Sequence, residues 1–566
     1  MDLSFLNPSL FLLIAFALYL LLAALTHKKG ERQTGSHFSN YLFGPFLLPV
    51  HEKQIIRNVN FFRFVMGLLV AHRFLVVFGV AVVSSPEGIR LLMASGAFLG
   101  VLISIGFMTP IAIVLFTSLF LISPPLFGTL GDQAAIIVFW LLILLGGGKH
   151  YSVDSLLSRW SPLKRPIESL YFFAVRLTPE NFSRVRFFGI MVFWGVNFSA
   201  VAFHFFDEFW LQGDVLQVAM ATGFWNDHYQ FANAVKDGYP LLFHTLCRAG
   251  LYIQAIFETF LLLFMYLGWP GRMFVFLQGL GFFLMSLLFF NLGYLPLHEL
   301  VMWGILFGYL PAMFPFLDRG AKKAGEERIA NFGPHPINGL ITLAFTIGFI
   351  FNLLNFARIC GHPWNGYWPW NQPVWRAVHR TFAYEAVNVF NRDDLATGGY
   401  RMVLYEVNEE GVPIRLVPLM DLNGGRLDYL RNDYIYYGRV LRWLRAPESE
   451  KFVDGDYENL GDKTKQVLNT MITLDAAVTG PTPGRTYRME IGRRSLQDGD
   501  YFLVWGDWET LVEKEYHLQP AVAKKISKDA PFTFVLGPGH WGAAERAARS
   551  LEILKERQPS PAGHSG

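Results

Sequence analysis

The sequence predicts a polytopic α-helical membrane protein with about ten transmembrane helices and a C-terminal extracytoplasmic α+β domain. The chain of 566 residues is 52% hydrophobic and only 16% charged, whereas soluble domains carry about 25% charged residues. Apolar runs of spanning length recur between residues 9 and 359, and mixed-charge sequence follows residue 372. Lys and Arg residues are concentrated in alternate loops, as expected of a chain that crosses a membrane repeatedly.

Ten apolar segments are candidates to cross a bilayer core, which needs roughly 20 residues per helix. They are 10–25, 61–83, 91–108, 111–127, 134–145, 185–206, 249–267, 273–292, 297–316 and 337–357. Segment 134–145 is short and could instead be a core helix, which would invert every later loop. Segment 10–25 could be a signal peptide, but it lacks a basic leading region and a clear small-residue cleavage site. We therefore interpret it as a retained helix.

The distribution of charge sets the predicted orientation, because cytoplasmic loops carry the excess of Lys and Arg. With ten spans, one set of loops holds most of these residues, and the loop 148–184 is its longest basic member. The opposite loops between spans hold only Arg90, Lys236 and Arg248. Both termini should then lie outside the cytoplasm, which places the C-terminal domain in a bacterial periplasm or its equivalent. The formal net charge of +3 does not suggest binding to nucleic acid.

Four regions follow from this pattern. Residues 1–58 hold the first helix and an amphipathic cytoplasmic loop, 59–360 the transmembrane bundle, 361–556 a soluble domain rich in strands, and 557–566 a disordered tail. In the soluble domain, strands are predicted at 400–407, 412–419, 486–491 and 500–508, and helices at 434–444 and 462–478. The Asn-Glu-Glu-Gly sequence at 408–411 is typical of a hairpin turn between the first two strands.

Ionisable side chains inside apolar segments are costly, so each is a functional candidate. The candidates singled out are Arg63, His72, Arg73, Glu258, His298 and Glu299. A structural pair or a water-filled cavity would also explain His72 and Arg73, and Arg63 could extend to the nearby interface. Glu258 has Gln254 one turn earlier on the same face. Its carboxylate would either titrate at high pH or pair with Arg63 or Arg73.

His204, Asp207 and Glu208 follow the spacing i, i+3, i+4, so one helical face could present an imidazole beside two carboxylates. A general base at His204 is physically reasonable near neutral pH. We predict no metal site, because the chain has no His-x-x-x-His or Cys-x-x-Cys spacing that would support one.

The two cysteines, Cys247 and Cys360, fall at the predicted outer ends of helices, where an oxidising compartment would permit a disulfide. Two independent buried thiols are the alternative, since sequence does not give the distance between the residues.

Several segments, in order, resemble the membrane domain of the horizontally transferred transmembrane (HTTM) family, the relatives of vitamin K-dependent gamma-carboxylase. The matching elements are Arg-x-x-x-Gly at 63–67, the basic Ser-Val-Asp element at 149–154, Asp-x-x-Trp-x-x-Gly at 207–213, the helix of Glu258, and Asn-Leu-Gly-Tyr-Leu-Pro at 291–296. The resemblance covers roughly residues 59 to 316. It implies a helical bundle and, in the carboxylases, a lysine base helped by histidines that deprotonates vitamin K hydroquinone at the outer side.

The chain departs from that catalytic pattern in three places. The lysine position falls on Phe205, the late histidine near Phe283, and the Asn-Asn-His element on 130–132. We therefore expect a protein that is not an active glutamate carboxylase and that holds a lipid-like ligand or a membrane partner complex. The alternative is a carboxylase-like or quinone-using membrane enzyme centred on His204 with Asp207 or Glu208. A transporter is less well supported, because no paired halves with broken helices are evident.

Overall fold

The structure is a computed structural model. It describes residues 37–48, 50–84, 87–122, 131–205, 207–309, 332, 335–359, 381–383, 398–427, 471–473, 475–480, 482–499, 503–518, 520, 523–524 and 542–557. These residues are mostly helical and end in a small antiparallel sheet and one further helix.

Fifteen helices precede the sheet in the described part of the chain. They are α1 (His37–Phe43), α2 (Glu52–Ser84), α3 (Glu87–Ile105), α4 (Thr109–Ile122), α5 (Asp132–Leu144), α6 (Val153–Leu157), α7 (Ser161–Leu170), α8 (Pro179–Phe205), α9 (Glu208–Gln212), α10 (Asp214–Ala221), α11 (Tyr229–Gly238), α12 (Pro240–Phe264), α13 (Gly268–Phe289), α14 (Leu295–Phe307) and α15 (Ile337–Ile359). Each predicted span from 61–83 onward overlaps one of these helices, although α14 ends at Phe307, well before the end of the predicted span 297–316. Segment 10–25 lies outside the described residues.

Four of these helices are long and apolar enough to cross a membrane. The qualifying segments are Glu52–Val76 in α2, Pro240–Phe264 in α12, Gly268–Phe289 in α13 and Ile337–Leu354 in α15. Helices α3, α4, α5 and α14 contain shorter apolar segments. The number of spans and their orientation therefore stay predictions.

Helix α5 is buried almost all round, as expected of a helix in the centre of a bundle. Its 13 residues include nine buried apolar side chains from Ala134 to Leu144. At 1.5 Å per residue it is roughly 20 Å long, shorter than a bilayer core. The alternative that segment 134–145 is a core helix and not a span thus stays open.

Small residues let α2 and α3 pack closely. A side chain on Gly67 would overlap the backbone of Ser104, and one on Gly100 would overlap Ala71. Apolar attraction between helices is weak inside lipid, so close packing of small residues is a main source of association there. Gly67 in the Arg-x-x-x-Gly element therefore has a packing role.

The sheet confirms most of the predicted strands. Strands β1 (Tyr400–Val407), β2 (Pro413–Leu416), β3 (Thr486–Arg493) and β6 (Glu509–His517) pair antiparallel in the order β2-β1-β3-β6. Strands β4 (Leu496–Asp498) and β5 (Leu503–Trp505) form a separate pair, so the predicted strand 500–508 is shorter than expected. The predicted hairpin turn is present, with Gly411 at a φ of 80°. Helix α16 (Ala543–Glu556) follows, and predicted helix 434–444 lies outside the described residues.

The sheet packs on the segment that joins α8 to α12. Trp505 Nε1 donates to Thr222 Oγ1 at 2.9 Å, and the amide of Arg426 donates to the carbonyl of Gly223 at 3.4 Å. One core cluster contains Trp210, Val218 and Trp225 from this segment together with side chains of β1 and β3. We call the end of the bundle where α8 finishes the sheet end, and the end where α2 begins the opposite end.

Candidate functional site

The Asp-x-x-Trp-x-x-Gly element forms one short helix at the sheet end. Asp207 caps α9, and its Oδ1 accepts a hydrogen bond from the amide of Phe209 at 3.0 Å. Gly213 ends α9 at a φ of 84°, a left-handed conformation that glycine adopts without steric cost. Asp207 and Gly213 therefore fix the position of Trp210 between them. This local role differs from the catalytic role predicted for Asp207.

His204, in the last turn of α8, is buried between an indole and a carboxylate. Its ring stacks on Trp210 with centroids 3.5 Å apart and an angle of 13° between the planes. Its Nδ1 lies 3.6 Å from Oε2 of Glu258 on α12. The two residues can therefore form an ion pair when the imidazole is protonated, or exchange a proton after a small movement.

Two glutamine side chains connect Glu258 to the neighbouring helix. Gln278 Nε2 on α13 donates to Gln254 Oε1 at 3.1 Å. Gln254 Nε2 in turn donates to Oε1 of Glu258 at 2.8 Å. This chain fixes one oxygen of Glu258 and leaves the other facing His204.

Glu299, near the start of α14, is a second buried carboxylate in this region. It is 6% exposed and interacts electrostatically with Glu258. Oε2 of each carboxylate accepts no hydrogen bond from the described residues. No Lys or Arg in the described part of the chain pairs with either group, so the pairing of Glu258 with Arg63 or Arg73 that the sequence allowed is not formed. We call His204, Glu258 and Glu299 the acidic cluster.

His72 and His298 are linked through Tyr294, and neither pairs with a carboxylate among the described residues. The hydroxyl of Tyr294 lies 2.7 Å from His72 Nδ1, and its ring stacks on His298 at 5.8 Å. His298 Nδ1 lies 2.8 Å from the carbonyl of Gly131. A carbonyl only accepts, so Nδ1 carries the proton and Nε2 is the free nitrogen of the neutral ring. Arg73 is buried near His298 and lies over the ring of Phe74.

Arg63 belongs to the opposite end and has a structural role. Its Nη1 donates to the carbonyls of Ile103 and Ser104 at 2.6 and 2.5 Å, and its Nη2 donates to that of Tyr151 at 3.1 Å. The sequence had suggested that Arg63 could extend to the nearby interface. The side chain is instead buried. Arg63 thus joins the end of α3 to the Ser-Val-Asp element.

Asp154 of that element is buried, and both of its carboxylate oxygens accept hydrogen bonds from protein donors. It accepts from the amides of Met108 and Thr109 at 2.8 and 3.3 Å and from the hydroxyl of Tyr171 at 2.6 Å. Two non-glycine residues here, Met108 and Tyr151, have left-handed φ values of 47° and 49°. Such conformations cost of order 1–3 kcal/mol and persist where the surroundings enforce them. We call the segment from Gly106 to Thr109 with 148–155 the platform.

Some predicted residues are described in part. Glu208 begins α9, but its side chain, like that of Phe205, lies outside the described residues. Cys247 is buried against Ala232 and Phe243, and Cys360 lies outside the described residues, so the disulfide stays a prediction. The acidic cluster thus contains three of the predicted site residues, and Asp207, Arg63, His72, Arg73 and His298 lie elsewhere.

Sequence reasoning missed Trp210 as a stacking partner and Gln278 as part of the glutamine chain. A signal for Gln278 was present, because it interrupts an apolar run and polar side chains in such runs often bond between helices. Nothing in the sequence indicated which helix would lie beside Gln278.

The described residues contain no group of three or more His, Cys, Asp or Glu side chains arranged to hold a metal ion. Comparisons with models of known protein families, with curated proteins and with solved structures found no match to this chain. The acidic cluster itself is therefore the basis for any statement about function.

Proposed function

We propose that this chain is a multi-pass membrane protein, related to the HTTM family, that holds a lipid-like ligand in its bundle. The observation that carries the proposal is the buried carboxylate of Glu258 beside His204, with the buried carboxylate of Glu299 interacting electrostatically with it. Each carboxylate has an oxygen that no described residue satisfies. Buried polar atoms in native proteins are nearly always hydrogen-bonded, and carboxylates among apolar helices are costly. A hydroxyl or amine on an otherwise apolar ligand would satisfy these oxygens.

A small cavity at the sheet end supports access for such a ligand. It has a volume of about 150 Å³ and lies between the end of α13 and the start of α14. Its lining includes Leu288, Phe290 and Pro296, and the last of these is one helical turn from Glu299. Asp227 and Asn291 also line the cavity, so apolar walls are combined with a few polar groups, as is typical of small-molecule sites.

The surroundings of two family positions argue against glutamate carboxylation. Phe283 is fully buried, with its ring 5.2 Å from Trp303 and 6.0 Å from Phe193. A Cβ on Gly131 would lie 2.7 Å from the amide nitrogen of Leu295, so that position has no room for a larger side chain. Aromatic packing occupies the place where the resemblance would put a histidine, and Phe205 has no proton to exchange.

A second candidate function is proton transfer to or from a quinone or quinol whose electrons are supplied or taken by a separate redox co-substrate. The 3.6 Å separation of His204 Nδ1 and Glu258 Oε2 favours it, because quinone reduction and quinol oxidation need a group that takes and gives protons. Only the family resemblance suggests vitamin K hydroquinone as the particular quinol. His204→Ala should abolish turnover of a quinol, and unchanged turnover would contradict this candidate.

We place the protein in a bacterial inner membrane with its C-terminal domain outside the cytoplasm. The four long apolar helices support contact with a lipid bilayer, and the charge asymmetry of the loops supports the orientation. The same apolar helices could also contact other membrane proteins in a complex. The test below distinguishes such a complex from ligand binding.

The test is native mass spectrometry of the protein purified from its own membranes in mild detergent. We expect a single chain that carries a lipid-sized or quinone-sized molecule, and we expect Glu258→Gln and His204→Ala to lose it. Glu513→Gln on the exposed edge of β6 removes the same charge as Glu258→Gln and serves as the matched control. Stoichiometric partner proteins without a bound small molecule would overturn ligand binding in favour of an assembly role.

A further inference from the structure

We propose that the opposite end of the bundle binds the phosphate group of an anionic membrane lipid in a cavity between Lys53, His150 and Arg159. The cavity has a volume of about 590 Å³. It is separate from the acidic cluster and needs only that α2 crosses a membrane.

Three basic side chains from different elements converge on this cavity. Lys53 comes from the first turn of α2, His150 from the platform and Arg159 from the segment after α6. In the described part of the chain neither Lys53 nor Arg159 forms an ion pair. Burial and the neighbouring Lys149 lower the pKa of His150, against the opposite effect of Glu52, so Lys53 and Arg159 supply the positive charge and His150 supplies a hydrogen-bonding group. Lys and Arg donors suit a phosphate group, which carries several acceptor oxygens. The charge of the cavity is therefore available to a ligand.

The wall of the cavity is rigid because the platform is held at both ends. Arg63 holds the carbonyl of Tyr151, and the Asp154 carboxylate is turned away from the cavity towards Met108 and Tyr171. The left-handed conformations of Met108 and Tyr151 are maintained by these bonds. Strained backbone that is enforced in this way is concentrated at ligand sites.

Apolar side chains that line the cavity are continued by exposed apolar side chains on α3, which favours a lipid over free phosphate. Ile56 and Ile105 line the cavity. Beyond Ile105, Val101 and Phe98 follow at helical spacing and are 44% and 62% exposed. An acyl chain can lie along this ridge while its phosphate remains with the cations.

Exposed aromatic side chains beside the cavity fit the same position. Tyr151 and Trp160 are 68% and 64% exposed, and both flank the basic residues in sequence. Tyr and Trp are enriched where a membrane meets water. The cavity mouth therefore lies at the level at which lipid phosphates occur.

The experiment uses the full chain in nanodiscs of phosphatidylcholine mixed in equal amounts with phosphatidylglycerol. Lipid retained on release is counted by native mass spectrometry. The double variant Lys53→Gln/Arg159→Gln is compared with Lys164→Gln/Arg165→Gln, which removes the same charge from exposed positions on α7. If each cation that contacts the lipid phosphate contributes about fivefold, the first variant should retain roughly 25-fold less phosphatidylglycerol. Lys164 and Arg165 do not line the cavity, so the second variant should change by less than about twofold.

Three outcomes would overturn the proposal. The first is an equal loss of phosphatidylglycerol from both double variants. The second is equal retention of phosphatidylcholine and phosphatidylglycerol by the wild type. The third is displacement of the lipid by inorganic phosphate that binds to the same residues in detergent alone. The last would assign the cavity to free phosphate. Arg159→Gln, at an exposed position, repeats the test without risk to the fold and should lose about fivefold. A ligand at the acidic cluster should remain bound in all of these variants, so the two proposals fail independently.

Discussion

Buried carboxylates have different partners in the C-terminal domain and in the helical bundle. Asp475 is held by both terminal nitrogens of Arg415 at 2.8 and 2.6 Å, and Asp421 lies 2.9 Å from Arg546. In the bundle, Glu258 and Glu299 have no basic partner among the described residues beyond the imidazole of His204. The carboxylates of the C-terminal domain are therefore structural, and the bundle carboxylates keep oxygens that can accept hydrogen bonds from a ligand.

The largest expected effect comes from removing Arg415, which pairs with both Asp475 and Glu406 in the C-terminal domain. Arg415→Ala would leave Asp475, which is fully buried, without its guanidinium, and Glu406 would lose a 3.0 Å ion pair. We expect a loss of about 3 kcal/mol in the free energy of unfolding of the C-terminal domain, since an uncompensated buried charge is costly. Urea denaturation of the intact protein in detergent, followed by tryptophan fluorescence, measures it.

Arg493→Ala is the matched control, because Arg493 and Glu509 form a similar but exposed pair at 3.3 Å. Its loss should be at most about 1 kcal/mol. Equal effects of the two substitutions would show that burial of Asp475 does not decide the strength of the network.

A second pair of variants compares the two regions directly. Asp475→Asn should destabilise the protein by about 2 kcal/mol, because a charged hydrogen-bonded pair is replaced by an imperfect neutral one. Glu258→Gln should leave stability unchanged or raise it, because no Lys or Arg loses a partner. Thermal unfolding of both variants tests this difference. A loss for Glu258→Gln as large as that for Asp475→Asn would make Glu258 structural.

A third expected effect is a gradual one, spread over about two pH units at alkaline pH. Burial raises the pKa of Tyr405 to about 12, and the neighbouring Glu513 acts in the same direction. The folded state therefore keeps the proton after the unfolded state has lost it, so this contribution is complete below pH 10 and is lost between about pH 10 and 12. The unfolding free energy should fall there by up to about 1.4 kcal/mol per pH unit from this group.

Tyr405→Phe should make that decline less steep, and unfolding of the two proteins across this pH range measures the difference. Burial also raises the pKa of Tyr487, so part of the decline should remain. Tyr239→Phe, at an exposed position, should follow the wild type. An unchanged slope for Tyr405→Phe would contradict the assignment.

The sequence predicted helices and strands well because their signals are local. Apolar runs of sufficient length indicate helices whatever their neighbours are, and the Asn408 to Gly411 turn needs only its own backbone. The burial of Arg63 was missed, because its acceptors on Ile103, Ser104 and Tyr151 are brought near by the packing of α2 on α3.

The site was predicted only in part, because contacts between helices leave no local signal in the sequence. His204 and Glu258 were each selected as ionisable residues in apolar surroundings, but their contact depends on how α8 lies against α12. The i, i+3 spacing suggested that Asp207 would share a helical face with His204. The helix instead ends after Phe205, and Asp207 caps the next helix, so the spacing rule did not apply.

Trp210 belongs to two environments at once. One face of its indole covers His204, and the residue is also part of the core cluster that includes Met402 and Leu404 of β1. A chain shortened to end after α15 would expose this indole, and water that reached it would also reach the imidazole beneath. The hydration of the bundle interior thus depends on whether the C-terminal domain is seated on it.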